Sequence, residues 1–258
     1  MDHLLSGVSL RDVGTALLDL AMPRRCIVCR RPLALRERFI CVDCQADFPF
    51  THFWARSHNP MADKFNSLIQ RDLDVASFSP REPYAFATAL FFYNADSDYR
   101  RIPWHLKYEG GLAAGRHFAR LLGAHLAASA QFADVDVVIP VPLHWTRRWR
   151  RGYNQAEVIA RELADVLGAE FRKDILRRSR RTRSQVRLSL AGKAANVRGA
   201  FSVSNGFRKM GCPAGHLLLV DDTFTTGSTL NACRAVLRQA FPPPTRISVA
   251  TLAYVSSE

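Results

Sequence analysis

Two adjacent carboxylates, Asp221 and Asp222, close the short apolar run Leu217 to Val220. A hydroxyl-rich turn follows: Thr225, Thr226, Gly227, Ser228 and Thr229. Each part has a chemical use. A buried strand fixes the carboxylates in space, and their oxygens can accept hydrogen bonds from vicinal hydroxyls. The turn sets backbone N–H groups and hydroxyls at a helix start, where partial positive charge favours a phosphate. Strand, carboxylates, anion cup and helix, in that order, read as a site for a sugar phosphate. An ordinary buried strand leading into a capped helix needs one N-cap hydroxyl. It leaves unexplained why five of the six residues from Thr225 to Leu230 are polar or glycine.

A second constellation is the pair Cys26-x-x-Cys29 and Cys41-x-x-Cys44, separated by eleven residues. Each pair can form a zinc knuckle, and two knuckles supply four thiolates for a tetrahedral ion. A redox CxxC needs only one pair, so the doubling favours zinc over redox chemistry or unrelated core cysteines. Four thiolates leave no open position, which makes the metal structural. Cys212 and Cys233 stand alone and read as buried free thiols.

The elements that must position these groups form an α/β pattern. The chain has 258 residues, enough for a well-buried domain and a smaller appendage, and 48% are hydrophobic, which excludes a disordered protein. The net charge of +13 and a pI of about 10.1 predict attraction to polyanions. No apolar stretch is long enough to span a bilayer. Leu4 to Met22 is interrupted by Arg11, Asp12 and Asp19 and lacks the flanks of a signal peptide. A cytoplasmic location is expected, where cysteine pairs point to metal.

Residues 1–22 read as an N-terminal helix closed by Pro23, 23–47 as the four-cysteine module, and 48–84 as an irregular linker or cover. Residues 85–258 read as the main domain. Within it, strands are expected at Ala85 to Tyr93, Val135 to Val141, Leu217 to Asp222 and Ile247 to Val255. Helices are expected at Leu112 to Gln131, Asn154 to Leu167 and Ser228 to Ala240. Asn154 with Glu157 resembles a capping box, and Ile159, Leu163, Val166 and Leu167 are expected to face inward. The alternation in the second half is the signature of a parallel sheet with right-handed crossovers.

Val220 to Thr229 resembles the phosphoribosyl-pyrophosphate (PRPP) signature of type I phosphoribosyltransferases. Together with the cysteine pairs, the chain resembles the ComF competence-protein family. Val138 to Pro142, Arg151-Gly-Tyr-Asn-Gln155, Gln185-x-x-Leu188, Asn196 and Phe201 fall at that family's spacing. Lys193 departs from the usual arginine, keeping charge while losing a bidentate contact. The resemblance implies a type I phosphoribosyltransferase core from about residue 85, with a small N-terminal zinc-binding module. It implies that Asp221 and Asp222 accept the ribose 2′ and 3′ hydroxyls and that Thr225, Thr226, Gly227, Ser228 and Thr229 hold the 5′-phosphate. Pyrophosphate would meet Lys107 or Arg151, and Mg²⁺ would bridge it to the ribose hydroxyls. The reaction implied is displacement of pyrophosphate at C1 of ribose, which rests on charge placement more than on a base. His105 and His144 lie nearest the motifs and read as packing or surface residues. A role in uptake of single-stranded DNA with a helicase-like partner is implied as well. The alternatives are a PRPP-sensing or DNA-binding module without turnover, or a nucleobase phosphoribosyltransferase of salvage metabolism.

Basic residues cluster around aromatics. Arg147, Arg148, Arg150 and Arg151 lie with Trp145, Trp149 and Tyr153, and Arg172 to Arg187 holds eight Lys/Arg against one Asp, Arg178, Arg181 and Arg183 among them. One reading is a solvated loop that closes over substrate. The other is an electrostatic groove with stacking platforms for single-stranded nucleic acid.

Overall fold

A computed structural model describes residues 14, 16, 18–20, 22–75, 82–178, 199–204 and 214–255. Five parallel strands make the central sheet: β1 (Ala87–Tyr93), β2 (Val137–Pro140), β3 (Glu170–Phe171), β6 (His216–Phe224) and β7 (Arg246–Val255). Their order is β1-β7-β6-β2-β3. β6 lies between β2, with Val137 opposite Leu217, and β7, with Asp221 opposite Thr251. A separate antiparallel ladder joins β4 (Leu176–Arg178) to β5 (Phe201–Val203).

β6 is apolar without interruption from Leu217 to Val220 because both faces of the sheet are covered. Leu218 and Val220 pack on one side with helices α3 (Arg101–Tyr108), α4 (Leu112–Ala127) and α6 (Gln155–Leu167), and with the cysteine module. Leu217 and Leu219 pack on the other with α2 (Pro60–Val75), α7 (Ser228–Arg238) and the β4–β5 ladder. The module contributes Cys26, Val28 and Cys44 to the first core, and its short helix α1 (Val42–Ala46) carries Cys44. The result is the expected α/β class: a parallel sheet with a small four-cysteine module at the N-terminal side.

The expected strands and helices of the second half stand where the pattern put them, with ends shifted by a few residues. Asn154 does cap α6, accepting from the Ala156 N–H at 3.2 Å. Glu157 does not close a capping box; it pairs with Lys173 (2.9 Å) and Arg148 (3.6 Å) instead. Ile159 and Leu163 are fully buried, whereas Val166 lies at the rim, 39% exposed.

The irregular reading of 48–84 fails over Pro60 to Val75. Pro60 to Val75 is a sixteen-residue helix, α2, whose Met61, Ala62 and Phe65 are fully buried. Asn59 caps it, its Oδ1 accepting from the N–H groups of Met61 (3.1 Å) and Ala62 (2.9 Å), while its amide donates to Ala87 O (3.0 Å). Pro60 at the first helical position costs no hydrogen bond there. Of the N-terminal helix expected over 1–22, residues 14, 16 and 18–20 are helical, Met22 is a bend, and the rest lies outside the described residues.

Candidate functional site

The carboxyl edge of the sheet carries a cleft of about 300 Å³. It is lined by Lys107, Arg147, Arg151, Arg178, Asp221, Asp222, Thr223, Thr225 and Thr229, among others. Four cations thus face two carboxylates. The strand pleat sends successive side chains to opposite sides, and the two aspartates follow it. Asp222 pairs with the Lys107 ammonium on α3 at 3.1 Å. Asp221 lies toward the opposite layer, within electrostatic reach of Arg178 on β4. Burial first, then the charge of Asp222, push the Asp221 carboxyl up to about 7. Burial works to lower the Lys107 ammonium, but Asp222 and Asp221 outweigh it and hold it above its ordinary range.

The arginines are assembled against their own repulsion. Burial, followed by the charges of Arg178, Arg151 and Arg150, lowers the Arg147 pKa from its ordinary value. Like charges gathered in a half-buried cleft are favourable only when an anion joins them. Arg151 lies over the Tyr108 ring at 5.2 Å and donates to Gln155 Oε1 at 3.2 Å, while its buried Nε has no hydrogen-bond partner among the described residues.

The run from Arg151 to Gln155 is a clamp. Gly152 ends α5 (Trp145–Arg151) at φ +79°, turning the chain toward α6. The Tyr153 hydroxyl and the Gln155 amide both donate to Leu106 O, fixing the turn of α3 that carries Lys107. Asn154 donates to Val141 O at 3.0 Å and so ties the start of α6 to the end of β2. Those five residues position a lysine and an arginine on one cleft.

The hydroxyl turn is built as expected, with Gly227 at φ +76° immediately before α7. A Cβ there would stand 2.7 Å from the Phe224 ring and 2.9 Å from Leu68, so only glycine fits. The Thr226 and Ser228 hydroxyls are 2.9 Å apart. Lys64 of α2 donates to Thr225 O at 2.9 Å. In the sequence, the Asn59-Pro60 helix start is a local signal for the helix that carries this lysine.

Other expected residues fall in several places. Arg147 and Arg178, expected for nucleic acid, line the same cleft as the aspartates. Arg148 and Trp149 lie on α5 outside its lining, with Trp149 87% exposed. Arg181, Arg183, Gln185, Leu188, Lys193, Asn196 and Cys212 lie outside the described residues. His105 pairs with Glu109, and His144 caps α5 through Thr146; neither lines the cleft. Cys233 is buried, and burial raises its thiol pKa well above the usual value. Tyr93 and Tyr108 join the lining without having carried a sequence signal; Thr223, inside the Val220 to Thr229 signature but given no role of its own, lines it too, its hydroxyl buried with no partner among the described residues.

The sulfurs of Cys26, Cys29, Cys41 and Cys44 all lie within 4.8 Å of one another. Cys29 and Cys41 Sγ are 3.6 Å apart, close to the roughly 3.8 Å edge of a tetrahedron with Zn–S bonds of about 2.3 Å. The Cys41 N–H points to Cys26 Sγ at 3.4 Å, and Arg31 reaches Cys29 Sγ (3.4 Å) while pairing with Asp43 (2.5 Å). Donor type, spacing and surrounding N–H donors fit a metal such as zinc.

No family model matches the chain. It is similar to competence protein F of Haemophilus influenzae, at 30% identity over 83% of this chain and 91% of that one. It is also similar to the DNA utilization protein YhgH of Salmonella typhimurium, at 35% identity over 82% of this chain and 89% of that one. Among solved structures, it overlaps in part with adenine phosphoribosyl transferase from Trypanosoma brucei, at 10% identity and a TM-score of 0.34, covering 62% and 71% of the two chains. That overlap is too partial to bear on the site. The length and level of the first two matches, with the cysteine module and the carboxylate-tipped strand both in place, show that this chain belongs to the competence protein F family.

Proposed function

We propose that the cleft binds PRPP together with Mg²⁺ and that the chain acts in DNA uptake, a reading supported by relatives named for competence and for DNA utilization. One observation carries the binding reading: Asp221, Asp222 and four cations converge on a single cleft beside the Thr225 to Thr229 turn. PRPP offers vicinal hydroxyls, a 5′-phosphate and a pyrophosphate. In this reading the two aspartates accept the ribose hydroxyls and the turn at the start of α7 holds the 5′-phosphate. Lys107, Arg151, Arg147 and Arg178 then balance the pyrophosphate charge.

The carboxylates and the Thr223 hydroxyl are hard oxygen donors of the kind Mg²⁺ takes, directly or through water. When bound, the ion would neutralise part of the pyrophosphate charge. Every histidine expected near the motifs lies off the cleft lining, so the chain's own contribution is orientation and charge placement. Calorimetric titration with PRPP and Mg²⁺ tests the binding, and pyrophosphate release with candidate acceptors separates turnover from sensing.

The reading extends to a second surface, for single-stranded DNA. Trp145 and Trp149 are 71% and 87% exposed on α5 beside Arg148 and Arg150. Exposed aromatics interleaved with arginines suit base stacking and phosphate contact. Trp149→Ala with Arg148→Ala should weaken oligonucleotide binding, and affinity should fall steeply with salt; a flat salt response would remove this surface from consideration. The expected helicase-like partner rests on the family resemblance.

A further inference from the structure

A second cavity, of about 510 Å³, opens beside the cleft. Its lining is Arg30, Tyr93, Arg100, Arg101, Pro103, Trp104, Lys107 and Tyr108. Tyr93, Lys107 and Tyr108 line both spaces, so a group in this cavity sits directly across Lys107 from Asp222. The volume is that of a small-molecule site.

Three features describe its ligand. Trp104 and Tyr108 stand one helical turn apart on α3, with ring centroids 5.6 Å apart. They stay 48% and 56% exposed, an open aromatic wall of the kind on which flat rings stack. The lining holds four cations and no carboxylate. Asp98 offsets Arg101 at 3.0 Å and Glu109 offsets Arg30 at 3.7 Å, while Arg100 bonds the Ala95 carbonyl, a neutral partner.

The cysteine module builds one side of the cavity. Arg30 follows Cys29 in a left-handed conformation, φ +66°, and its own N–H donates to Cys26 O at 3.0 Å. Arg101 donates to Val28 O inside the first cysteine pair. The metal-type knuckle therefore holds a guanidinium at the cavity wall.

We infer that this cavity binds one nucleotide, its base on Trp104 and Tyr108 and its phosphate among Arg30, Arg100 and Arg101. The inference deepens the PRPP reading by naming the class of the second ligand, held next to the first across Lys107. A free nucleotide and the end residue of a single strand share this chemistry.

The test is calorimetry on the full chain with AMP and with a five-residue oligoadenylate, each with and without PRPP and Mg²⁺. At least one nucleotide form should bind, with affinity reduced about tenfold or more in Trp104→Ala and in Arg100→Ala, and recovered in Trp104→Phe. PRPP affinity should be unchanged in all three variants. Binding of AMP identifies a free nucleotide, and binding of the oligomer alone identifies a strand end; either supports the cavity. Nucleotide binding unchanged in Trp104→Ala and Arg100→Ala, or no nucleotide binding by a chain that binds PRPP, overturns it. Nucleotide binding that follows the variants in a chain that does not bind PRPP upholds the cavity and defeats the PRPP reading alone.

Discussion

The ammonium of Lys107 stands 3.1 Å from the carboxylate of Asp222, joining α3 to the tip of β6 across the mouth of the cleft. This pair keeps one of two adjacent carboxylates compensated while its neighbour, Asp221, is pushed up to about 7. The two aspartates are thus chemically unequal although they are neighbours in sequence.

That inequality gives a pH dependence. The folded-state Asp221 pKa lies above its ordinary 3.8, so its contribution to apo stability is complete below about pH 4 and is lost as pH rises through about 7. Ligand binding runs the other way, because ribose hydroxyls donate to the ionised form. PRPP affinity should fall by up to about tenfold per unit below pH 7, and Asp221→Asn should flatten that profile. Lys107→Met removes a charge that lowers Asp221 and should move the midpoint above 7. A profile that ignores Lys107→Met would contradict the pairing.

Gly227→Ala should be destabilising by about 1–3 kcal/mol, since the new Cβ combines a positive φ with contacts under 3 Å to Phe224 and Leu68. Chemical denaturation measures the loss. With the turn proposed as the anion cup, the folded fraction should also bind inorganic phosphate more weakly than the parent.

Zinc analysis should return one ion per chain, and Cys44→Ser should abolish stoichiometric binding. Removing the ion should cost stability on the order of several kcal/mol, because Cys26, Val28 and Cys44 share a core with α3 and α4. Thermal unfolding with and without chelator reads this directly.

At the opposite end of the sheet, His216 bonds Asp134 Oδ1 and Ser248 Oγ, each at 2.7 Å. The order Asp, His, Ser has the form of a hydrolytic triad, but Ser248 is fully buried and its Oγ also accepts from the Phe86 N–H at 3.2 Å. The group is a structural tie. Burial lowers the His216 pKa despite the pull of Asp134, so the stability it brings is complete above about 6.5 and is lost as pH falls through the lower native value. His216→Ala should cost about 1–3 kcal/mol at neutral pH and leave PRPP binding intact; denaturation at pH 5 and 8 checks the slope.

The site was legible in sequence wherever its parts are local. Leu217 to Thr229 announced strand, carboxylates, turn and helix because each is a short-range pattern, and the four cysteines announced their cluster by spacing alone. Arg151 to Gln155 was recognisable as a motif, but its work is tertiary: two of its side chains grip Leu106 O from a different helix. The Lys107–Asp222 pair and the placement of Arg178 opposite Asp221 likewise depend on crossovers that no local pattern encodes. Helix α2 was missed for another reason. Its Met61, Phe65 and Ile69 recur at helical spacing, yet the polar residues between them and the Pro-rich flanks hid the stripe. With α2 went Lys64, the residue that touches the hydroxyl turn from outside.

Asp221, Asp222 and the turn are proposed to form a PRPP site. The most direct measurement is calorimetric titration of the full chain with PRPP and Mg²⁺, compared with the variant carrying Asp221→Asn and Asp222→Asn. Saturable binding at one site per chain, weakened at least about tenfold in the variant, is the predicted result, since charge-assisted hydrogen bonds to a carboxylate contribute on the order of 1.5–3 kcal/mol. No binding by the parent chain, or equal binding by a folded variant, would contradict it.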